Sequence, residues 1–245
     1  MKWKTFPMRL VWARSVTPTV RHLAFKRDDG ESFEFTAGQF VNLHWERDGE
    51  LTHRSYSVAI PPGQSDLIEI AVAPVEGGFA TERLLALRPG DPILGSGPYG
   101  RFVLKEDPPC RYVLAATGTG VTPYRSMLPQ ITGLLEAGEH AVHLLLGVRR
   151  RDELLYGEEF LEFSKNHERF SFSACYSREL PAAPTDWEHH GYLQHRFEHL
   201  ALDPDSDIVY LCGNPGMIDE AFALLKEAGF GIKQIRREKY LSARR

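Results

Sequence analysis

The stretch RYVLAATGTGVTP, residues 111–123, decides the class of fold. Its first seven residues form an apolar run typical of a buried strand, and this run leads directly into Gly118, Thr119 and Gly120. Pro123 suits the first turn of a helix, where its missing N–H costs nothing. A strand, glycine turn and helix in this order let bare backbone approach an anionic group such as a pyrophosphate. The usual third glycine is absent, so this motif alone fits a turn without a ligand equally well.

The sequence after Cys110 alternates between strand and helix patterns. Predicted strands lie at 111–117, 141–148, 170–176 and 207–212, and predicted helices at 123–137, 153–166, 193–200 and 216–228. Strands that alternate with helices form right-handed crossover units and a parallel sheet. We therefore predict a parallel-sheet α/β domain over residues 108–245.

Residues 3 to about 107 contain short strands separated by Gly, Pro and Asp. The predicted strands include 20–25, 40–45, 55–60 and 67–72, and a single helix is predicted at 79–87. Closely spaced strands with turn signals between them indicate an antiparallel barrel. We predict an N-terminal Greek-key β-barrel over residues 1–107, joined to the second domain by the stiff connector KEDPPC.

Composition and charge exclude several classes of protein. The chain has 245 residues, 42% of them hydrophobic, and a net charge of −4, which argues against nucleic-acid binding. Its three cysteines are widely spaced and form no CxxC pair, which excludes a disulfide scaffold, a zinc site and an iron–sulfur cluster. No run of about 18 apolar residues and no signal-peptide pattern occur. We expect a cytoplasmic protein that is not associated with membranes and is monomeric.

YLCGNPGMIDEAF, residues 210–222, is a second strand, turn and helix. Ligands of open parallel sheets lie beyond the carboxyl ends of the strands, so Cys212 and Gly213 are expected in the same crevice as Gly118. The alternative for Cys212 is a buried small apolar residue.

The segment HRSYSVAIPP, residues 53–62, lies in the predicted barrel. Arg54 offers a forked donor for a phosphate, Tyr56 a flat face for an aromatic ring, and Ser57 a hydroxyl donor. On a strand, Arg54 and Tyr56 share one face while Ser55 and Ser57 share the other. On spacing alone, a solvated strand with an exposed arginine is the simpler interpretation.

EGGFATERL, residues 76–84, has two glycines before a short helix whose first turn contains Thr81. This pattern is a second candidate anion site. The alternative is a hairpin turn followed by a helix cap.

In order and spacing, these four segments resemble the ferredoxin–NADP reductase family of flavoproteins, specifically its stand-alone bacterial members. RSYS resembles the family's RxYS flavin motif, and GGFAT resembles its flavin-phosphate turn. GTGVTP is similar to its nicotinamide-dinucleotide turn, and CGNPGM to its CGxxxM segment. The resemblance covers essentially the whole chain.

The resemblance implies FAD as cofactor and NADP(H) as co-substrate, with no metal. It implies that Arg54 holds the FAD pyrophosphate, that Tyr56 lies against the isoalloxazine, and that the Ser57 hydroxyl lies near flavin N5. It also implies that Cys212 lies beside the nicotinamide carbon that gives up hydride, so that Ser57, Tyr56 and Cys212 are the catalytic residues. Flavin accepts the hydride, so no acid/base pair is needed. The other cofactor-binding residues are Ser55, Ile70, Val72, Gly78, Phe79, Ala80, Thr81, Gly118, Thr119, Gly120, Thr122, Pro123, Gly213, Asn214, Met217 and Tyr240.

The choice between NADP and NAD depends on basic residues, because a 2′-phosphate needs Arg or Lys. Ser177, Arg178 and Glu179 resemble the SRE segment that binds the 2′-phosphate in NADP-type members, and Arg149 is a further candidate. We predict NADP, although residues 149–151 equally fit a solvated basic turn.

Tyr240 resembles the terminal tyrosine of plant-type members but is followed by five more residues. It either shields the flavin or packs on a final strand, with Ser242–Arg245 as a frayed tail.

Basic residues are concentrated near both termini. They are Lys2, Lys4, Arg9, Arg14, Arg21, Lys26, Arg27, Arg236, Arg237, Lys239, Arg244 and Arg245. A basic face could steer an acidic ferredoxin or flavodoxin toward the flavin, and the alternative is a set of solvated charges.

The sequence therefore predicts an FAD-dependent NADPH oxidoreductase that passes single electrons to ferredoxin or flavodoxin. A flavin reductase, an oxygenase reductase component and a non-catalytic FAD-binding electron-transfer subunit stay open. A dinucleotide-binding regulator is disfavoured, because it would not need RSYS.

Overall fold

The computed structural model describes residues 3–47 and 49–240. These residues form two compact units. The N-terminal unit extends to Leu104 and also includes Thr122–Leu128, and the second unit contains Lys105–Val121 and residues 129–240. Within the N-terminal unit, the backbone N–H of Gly38 donates to Ser126 Oγ at 3.0 Å. Contacts of this kind explain why the short segment Thr122–Leu128 groups apart from its neighbours in sequence, and the predicted boundary after residue 107 stays a prediction.

The N-terminal unit is a barrel-like antiparallel sheet of six strands with one helix. Its elements are β1 (Phe6–Ser15), β2 (Arg21–Arg27), β3 (Phe40–Arg47), β4 (Glu50–Ser57), β5 (Ile68–Val72), α1 (Phe79–Ala86) and β6 (Pro92–Tyr99). The strand order is β4-β3-β6-β1-β2-β5, and a bridge between Val58 and Ile70 joins the two ends of the sheet. Strands β3, β4 and β5 follow one another around the barrel and β6 returns beside β3, which is a Greek-key connection. The predicted antiparallel Greek-key barrel is confirmed.

The second unit is built on a parallel sheet of six strands. Its strands are β7 (Arg111–Thr117), β8 (Ala141–Val148), β9 (Phe170–Tyr176), β10 (Glu188–His190), β11 (Asp207–Gly213) and β12 (Ile235–Lys239). The helices after β7 are α2 (Thr122–Ser126), α3 (Leu128–Glu136), α4 (Gly157–Asn166) and α5 (Pro215–Glu227). The strand order is β10-β9-β8-β7-β11-β12 and every pairing is parallel. The predicted parallel α/β architecture is confirmed.

Three predicted helices differ from those in the structure. The predicted helix 123–137 is broken at Met127 into α2 and α3. Pro129 accounts for the break, because proline lacks an N–H and its ring clashes with the carbonyl four residues earlier. The predicted helix 153–166 begins only at Gly157, after a 3-10 turn at Arg151–Glu153, and the predicted helix 193–200 is a 3-10 turn at Leu193–Arg196.

One core cluster of the second unit lies between the sheet and α5. Val113 on β7 and Leu211 on β11 pack in one buried cluster with Ile218 and Leu225 of α5. In the described part of the chain, no helix is both long and apolar enough to cross a membrane.

Candidate functional site

The RSYS motif forms the last four residues of β4. Ser55 donates to Asn42 Oδ1 at 2.7 Å on one face of the strand, while Tyr56 packs against the barrel core on the other. Burial raises the pKa of the Tyr56 phenol well above its usual range, although the charge of Arg54 opposes the shift. The ring therefore stays neutral at physiological pH. Ser57 is buried at the end of the strand.

Ile70 and Val72 lie on β5 with their side chains 0% and 1% exposed in the barrel core. Their side chains fill the barrel interior, so their backbone atoms are the groups that a cofactor would contact, and their predicted role in cofactor binding stays a prediction.

The GGFAT turn leads into α1, with Gly78 as the residue that caps the helix. A Cβ atom at Gly78 would lie 2.6 Å from Thr81 Oγ1 and 2.8 Å from the carbonyl oxygen of Val75, so only glycine fits. Gly78 offers no side chain to the N–H groups of the first helical turn. These donors and the positive end of the helix dipole make the turn suitable for an anion.

Two arginines lie over the ring of Phe79, the first residue of α1. The guanidinium carbons of Arg83 and Arg47 are 4.4 and 5.3 Å from the ring centroid. Ala80, the next residue, is buried. Two positive charges therefore lie at the same turn, which also carries the carboxylate of Glu82.

Gly118, Thr119 and Gly120 form a 3-10 turn at the carboxyl end of β7. Gly118 has a φ of +53°, and a Cβ atom there would meet nothing within 4 Å. At Gly120 a Cβ atom would lie only 2.5 Å from the carbonyl oxygen of Cys212. Gly118 is thus glycine for its backbone conformation, with open space beside it, whereas Gly120 is glycine because the end of β11 packs against it.

Thr122 and Pro123 begin α2, which has five residues and follows the 3-10 turn. Both side chains are buried, and Thr122 Oγ1 has no hydrogen-bond partner within the described residues. The helix that follows the GTG turn is therefore much shorter than the expected helix 123–137, and the predicted role of Thr122 and Pro123 in cofactor binding stays a prediction.

The GTG and CGN turns interlock at the ends of β7 and β11. Thr117 Oγ1 accepts the N–H of Asn214 at 2.9 Å. Gly213 has a φ of +119°, and a Cβ atom there would lie 2.6 Å from Thr117 Oγ1. The two strands are adjacent, so the turns that follow them meet at one edge of the sheet.

Asn214 caps α5 with its own side chain. Its Oδ1 accepts the N–H groups of Gly216 at 2.8 Å and of Met217 at 3.2 Å. Met217 is itself buried against the sheet. These two N–H groups already donate to the Asn214 side chain. The CGN turn therefore has fewer free donors for an anion than a helix N-terminus without a side-chain cap.

Cys212 is fully buried, with 0% of its surface exposed. Burial raises the pKa of its thiol well above the usual range, and the charge of Glu238 acts in the same direction, while a hydrogen bond with Tyr240 opposes it. The thiol is therefore protonated at physiological pH. The N–H of Tyr240 donates to the carbonyl of Gly213 at 2.8 Å, so this aromatic residue lies beside Cys212.

The residues predicted to choose between NADP and NAD come together after β8 and β9. The N–H of Ser177 donates to the Val148 carbonyl at 2.9 Å, and that of Arg178 to the Arg149 carbonyl at 3.0 Å. The Arg149 guanidinium is paired with Glu153, whereas Arg178 is exposed and makes no ion pair within the described residues.

Tyr192 is an exposed aromatic residue near this turn that the sequence reasoning missed. The N–H of the preceding Gly191 donates to the carbonyl of Tyr176, two residues before Arg178. Tyr192 is 56% exposed, which is unusual for a tyrosine next to a strand. An aromatic residue directly after a glycine at a strand end was the available signal.

The basic N-terminal segment is partly neutralised in the structure. Arg9 pairs with Asp28 at 2.6 Å and Arg27 pairs with Asp29 at 2.6 Å, whereas Arg21 donates to the carbonyl of Leu85 and keeps its charge. Lys2, Arg244, Arg245 and the tail Ser242–Arg245 lie outside the described residues.

Two family models match the chain in the order of its two units. Residues 7–104 match an oxidoreductase FAD-binding domain, and residues 114–222 match an oxidoreductase NAD-binding domain. Together the matches include the RSYS segment of β4 and the GGFAT, GTG and CGN turns.

Individual relatives point to the same family. Ferredoxin–NADP reductase B of Sorangium cellulosum is 36% identical, over 96% of this chain and 97% of that protein. The phenol 2-monooxygenase reductase component DmpP of Pseudomonas sp. (strain CF600) is 35% identical over 93% of this chain, which spans only 63% of that longer protein.

A solved structure shows the same fold. The ferredoxin NADP+ reductase of Neisseria gonorrhoeae, with bound FAD and NADP, superimposes with a TM-score of 0.82 at 25% identity, covering 97% of this chain and 99% of that one. The chain therefore belongs to the ferredoxin–NADP reductase family of FAD- and NAD-binding oxidoreductases.

Proposed function

We propose that the protein is an NADPH-dependent flavoprotein reductase that passes electrons one at a time to a separate carrier, either ferredoxin or flavodoxin. The observation that carries this proposal is Arg178, which is exposed beside Arg149 and has no ion-pair partner in the described part of the chain, together with the Arg54, Tyr56 and Ser57 set. An unpaired arginine is the group that the 2′-phosphate of NADPH requires and that NADH does not use.

The N-terminal unit fits FAD in its donor groups. Arg54 supplies a forked donor and α1 supplies an N-terminus without a side-chain cap, which together suit a pyrophosphate. The neutral ring of Tyr56 suits stacking on a flavin, and the hydroxyl of Ser57 suits a hydrogen bond to flavin N5. When bound, FAD accepts a hydride from the reduced nicotinamide and releases the electrons singly.

The second unit fits a dinucleotide. The open space beside Gly118 lets a pyrophosphate approach the backbone of the GTG turn. Arg178 binds the 2′-phosphate, and the exposed ring of Tyr192 offers a surface on which the adenine stacks.

Cys212 contributes by size rather than by proton transfer. Its thiol is buried and protonated, and its carbonyl packs against Gly120. We infer that a small neutral side chain is needed at the end of β11, because hydride transfer requires close positioning and no proton from the protein.

The electron acceptor is inferred from relatives and from the cysteines. Cys110, Cys175 and Cys212 are all free and dispersed, whereas an iron–sulfur cluster needs about four clustered ligands. The electrons therefore pass to a redox centre that these cysteines do not build. Free thiols also fit a cytoplasmic location, and we infer that the protein acts there as a monomer.

A second candidate is a reductase component of an oxygenase. It is favoured by the 35% identity to the phenol 2-monooxygenase reductase component. In this case the acceptor would be an oxygenase protein instead of a general carrier.

The test is purification, a visible spectrum and anaerobic titration with NADPH and NADH. We expect a yellow protein that NADPH bleaches faster than NADH does, and that then reduces ferredoxin or flavodoxin. A colourless protein that FAD does not reconstitute, or faster bleaching by NADH, would contradict the proposal. Reduction of an oxygenase but not of either carrier would support the second candidate.

A further inference from the structure

Glu153 clamps Arg149 from within the same turn. Its Oε1 lies 2.9 Å from Arg149 Nη2, and its Oε2 accepts both the Nε–H and the backbone N–H of Arg149, each at 3.2 Å. One edge of the guanidinium is thus fully engaged by the two carboxylate oxygens. This bidentate arrangement resembles the way in which an arginine binds a phosphate.

The neighbouring arginines of this turn are also matched by carboxylates. Arg150 Nε lies 3.7 Å from Asp152 Oδ1, and Arg151 Nε lies 3.4 Å from Glu188 Oε1. Glu188 is buried and also accepts the hydroxyl of Tyr176 at 2.9 Å. The run of three arginines therefore offers little free positive charge.

Arg178 is the contrasting residue. Its N–H bonds to the Arg149 carbonyl, so the two arginines are neighbours, yet Arg178 makes no ion pair in the part of the chain that the structure describes. Glu179, which follows it, is exposed, and its N–H also donates to the Arg149 carbonyl at 3.3 Å.

We propose that Glu153 is a specificity-determining residue: by neutralising Arg149 it weakens the attraction of this site for a 2′-phosphate and leaves Arg178 as the cation that distinguishes NADPH from NADH. The inference rests on the proposed use of NADPH. It concerns how strongly the protein distinguishes NADPH from NADH, and it assigns Arg149 a reduced role in binding the 2′-phosphate in the wild-type protein.

The physical reason is the charge that the pair presents. A phosphate monoester carries about −1.5 to −2 charges at pH 7. The Arg149–Glu153 pair presents no net charge to it, whereas Arg149 beside a glutamine presents one positive charge. The Arg149 side chain is 64% exposed, so solvent reduces the difference to a change of roughly fivefold in affinity.

The decisive variant is Glu153→Gln. The glutamine amide oxygen can still accept the backbone N–H of Arg149, so the turn is retained while the charge is removed. Asp152→Asn is the matched control, because it removes a carboxylate from the same turn that pairs with Arg150 and not with Arg149.

Two measurements separate this inference from the proposed function. The first is calorimetric binding of adenosine 2′,5′-bisphosphate and of 5′-AMP to the FAD-loaded protein. The second is the ratio of kcat/KM for NADPH and NADH in anaerobic flavin reduction. Binding of the bisphosphate tests the effect of the Arg149–Glu153 pair directly. If neither coenzyme reduced the flavin, the proposed function would be refuted, but the binding result would still stand.

We expect Glu153→Gln to raise bisphosphate affinity and the NADPH/NADH ratio about fivefold, and to lose this gain at 0.5 M salt or when Arg149→Ala is added. Asp152→Asn is expected to change both values less than twofold, and Arg178→Ala to lower both at least tenfold. The inference is overturned if Glu153→Gln lowers or does not change the ratio, which would mean that Glu153 orients Arg149 for phosphate. An equal rise in Asp152→Asn would also overturn it, by showing an effect of net charge alone.

Discussion

Replacement of Gly120 by alanine tests the packing of the dinucleotide turn on β11. The new Cβ atom would lie 2.5 Å from the Cys212 carbonyl oxygen, 2.7 Å from its carbonyl carbon and 2.8 Å from the Cα of Gly213. All three are backbone atoms, so no flexible side chain can move aside. To reach ordinary van der Waals contact at 3.4 Å, the oxygen must recede by about 0.9 Å.

The expected cost is about 3 kcal/mol, the upper end of the range for overpacking in a close-packed interior. Gly118→Ala is the matched control. Gly118 has a φ of +53°, but its Cβ would meet no atom within 4 Å, so its cost is only the left-handed backbone conformation, roughly 1 kcal/mol. The two variants add the same methyl group within one turn and differ in whether that group has space.

The assay is hydrogen exchange followed by mass spectrometry, because the chain has two units and a single unfolding transition is not assured. For the slowest amides of β7 and β11, Gly120→Ala should accelerate exchange about 100-fold and Gly118→Ala about fivefold, since 1.4 kcal/mol corresponds to a factor of ten. Peptides from β1 and β2 serve as an internal reference. Equal acceleration in the two variants, or none in Gly120→Ala, would refute the steric argument.

Three further predictions concern buried ionisable groups. Burial, and to a lesser extent the charge of Arg111, lowers the pKa of His143 to about 4. The imidazole ring therefore stays neutral in the folded protein at pH 5, whereas the unfolded chain protonates it below about pH 6.5. The free energy of unfolding should fall by roughly 2 kcal/mol from pH 7 to pH 5, and urea titrations should show a smaller fall in His143→Gln; an unchanged pH dependence would contradict this. Asp107→Asn should destabilise the second unit by about 3 kcal/mol, because it leaves Arg236 buried without its carboxylate, and a loss below 1 kcal/mol in urea denaturation would count against it. Cys212 should resist iodoacetamide at pH 8 until the protein is unfolded, because the thiol is buried and protonated, and mass-spectrometric labelling of the native protein at this residue would disprove the point.

The two-part architecture was predictable because its signals are local. Apolar runs such as 111–117 indicate strands buried on both faces, and the helical patterns between them require crossovers in a parallel sheet. The N-terminal strands are short and separated by turn residues, which indicates a barrel. Even the break at Met127 has a signal in the sequence, since Pro129 interrupts the predicted helix 123–137.

The burial and the close contacts of the site residues were not predictable, because they depend on which distant segments pack against each residue. Ile70 and Val72 alternate with Glu69 and Ala71, so the sequence indicates which face of β5 meets the barrel interior, but all five residues are buried and only the fold shows that the opposite face is covered as well. The burial of Cys212 and the close approach at Gly120 arise between β11 and the turn after β7, more than 90 residues apart in the chain.

The sequence by itself determined the two architectures, most of the strands along the chain, and the four segments that resemble the family. These features follow from side-chain periodicity and from backbone preferences of Gly and Pro, which act over a few residues. Only the tertiary structure decided that Cys212 is a buried neutral thiol, that Asn214 caps α5, and that Arg178 has no ion pair among residues 3–47 and 49–240 while Arg149 is paired with Glu153. Solvent exclusion and pairing of charges depend on which segments the fold brings into contact, and those contacts set the protonation state and the availability of each group.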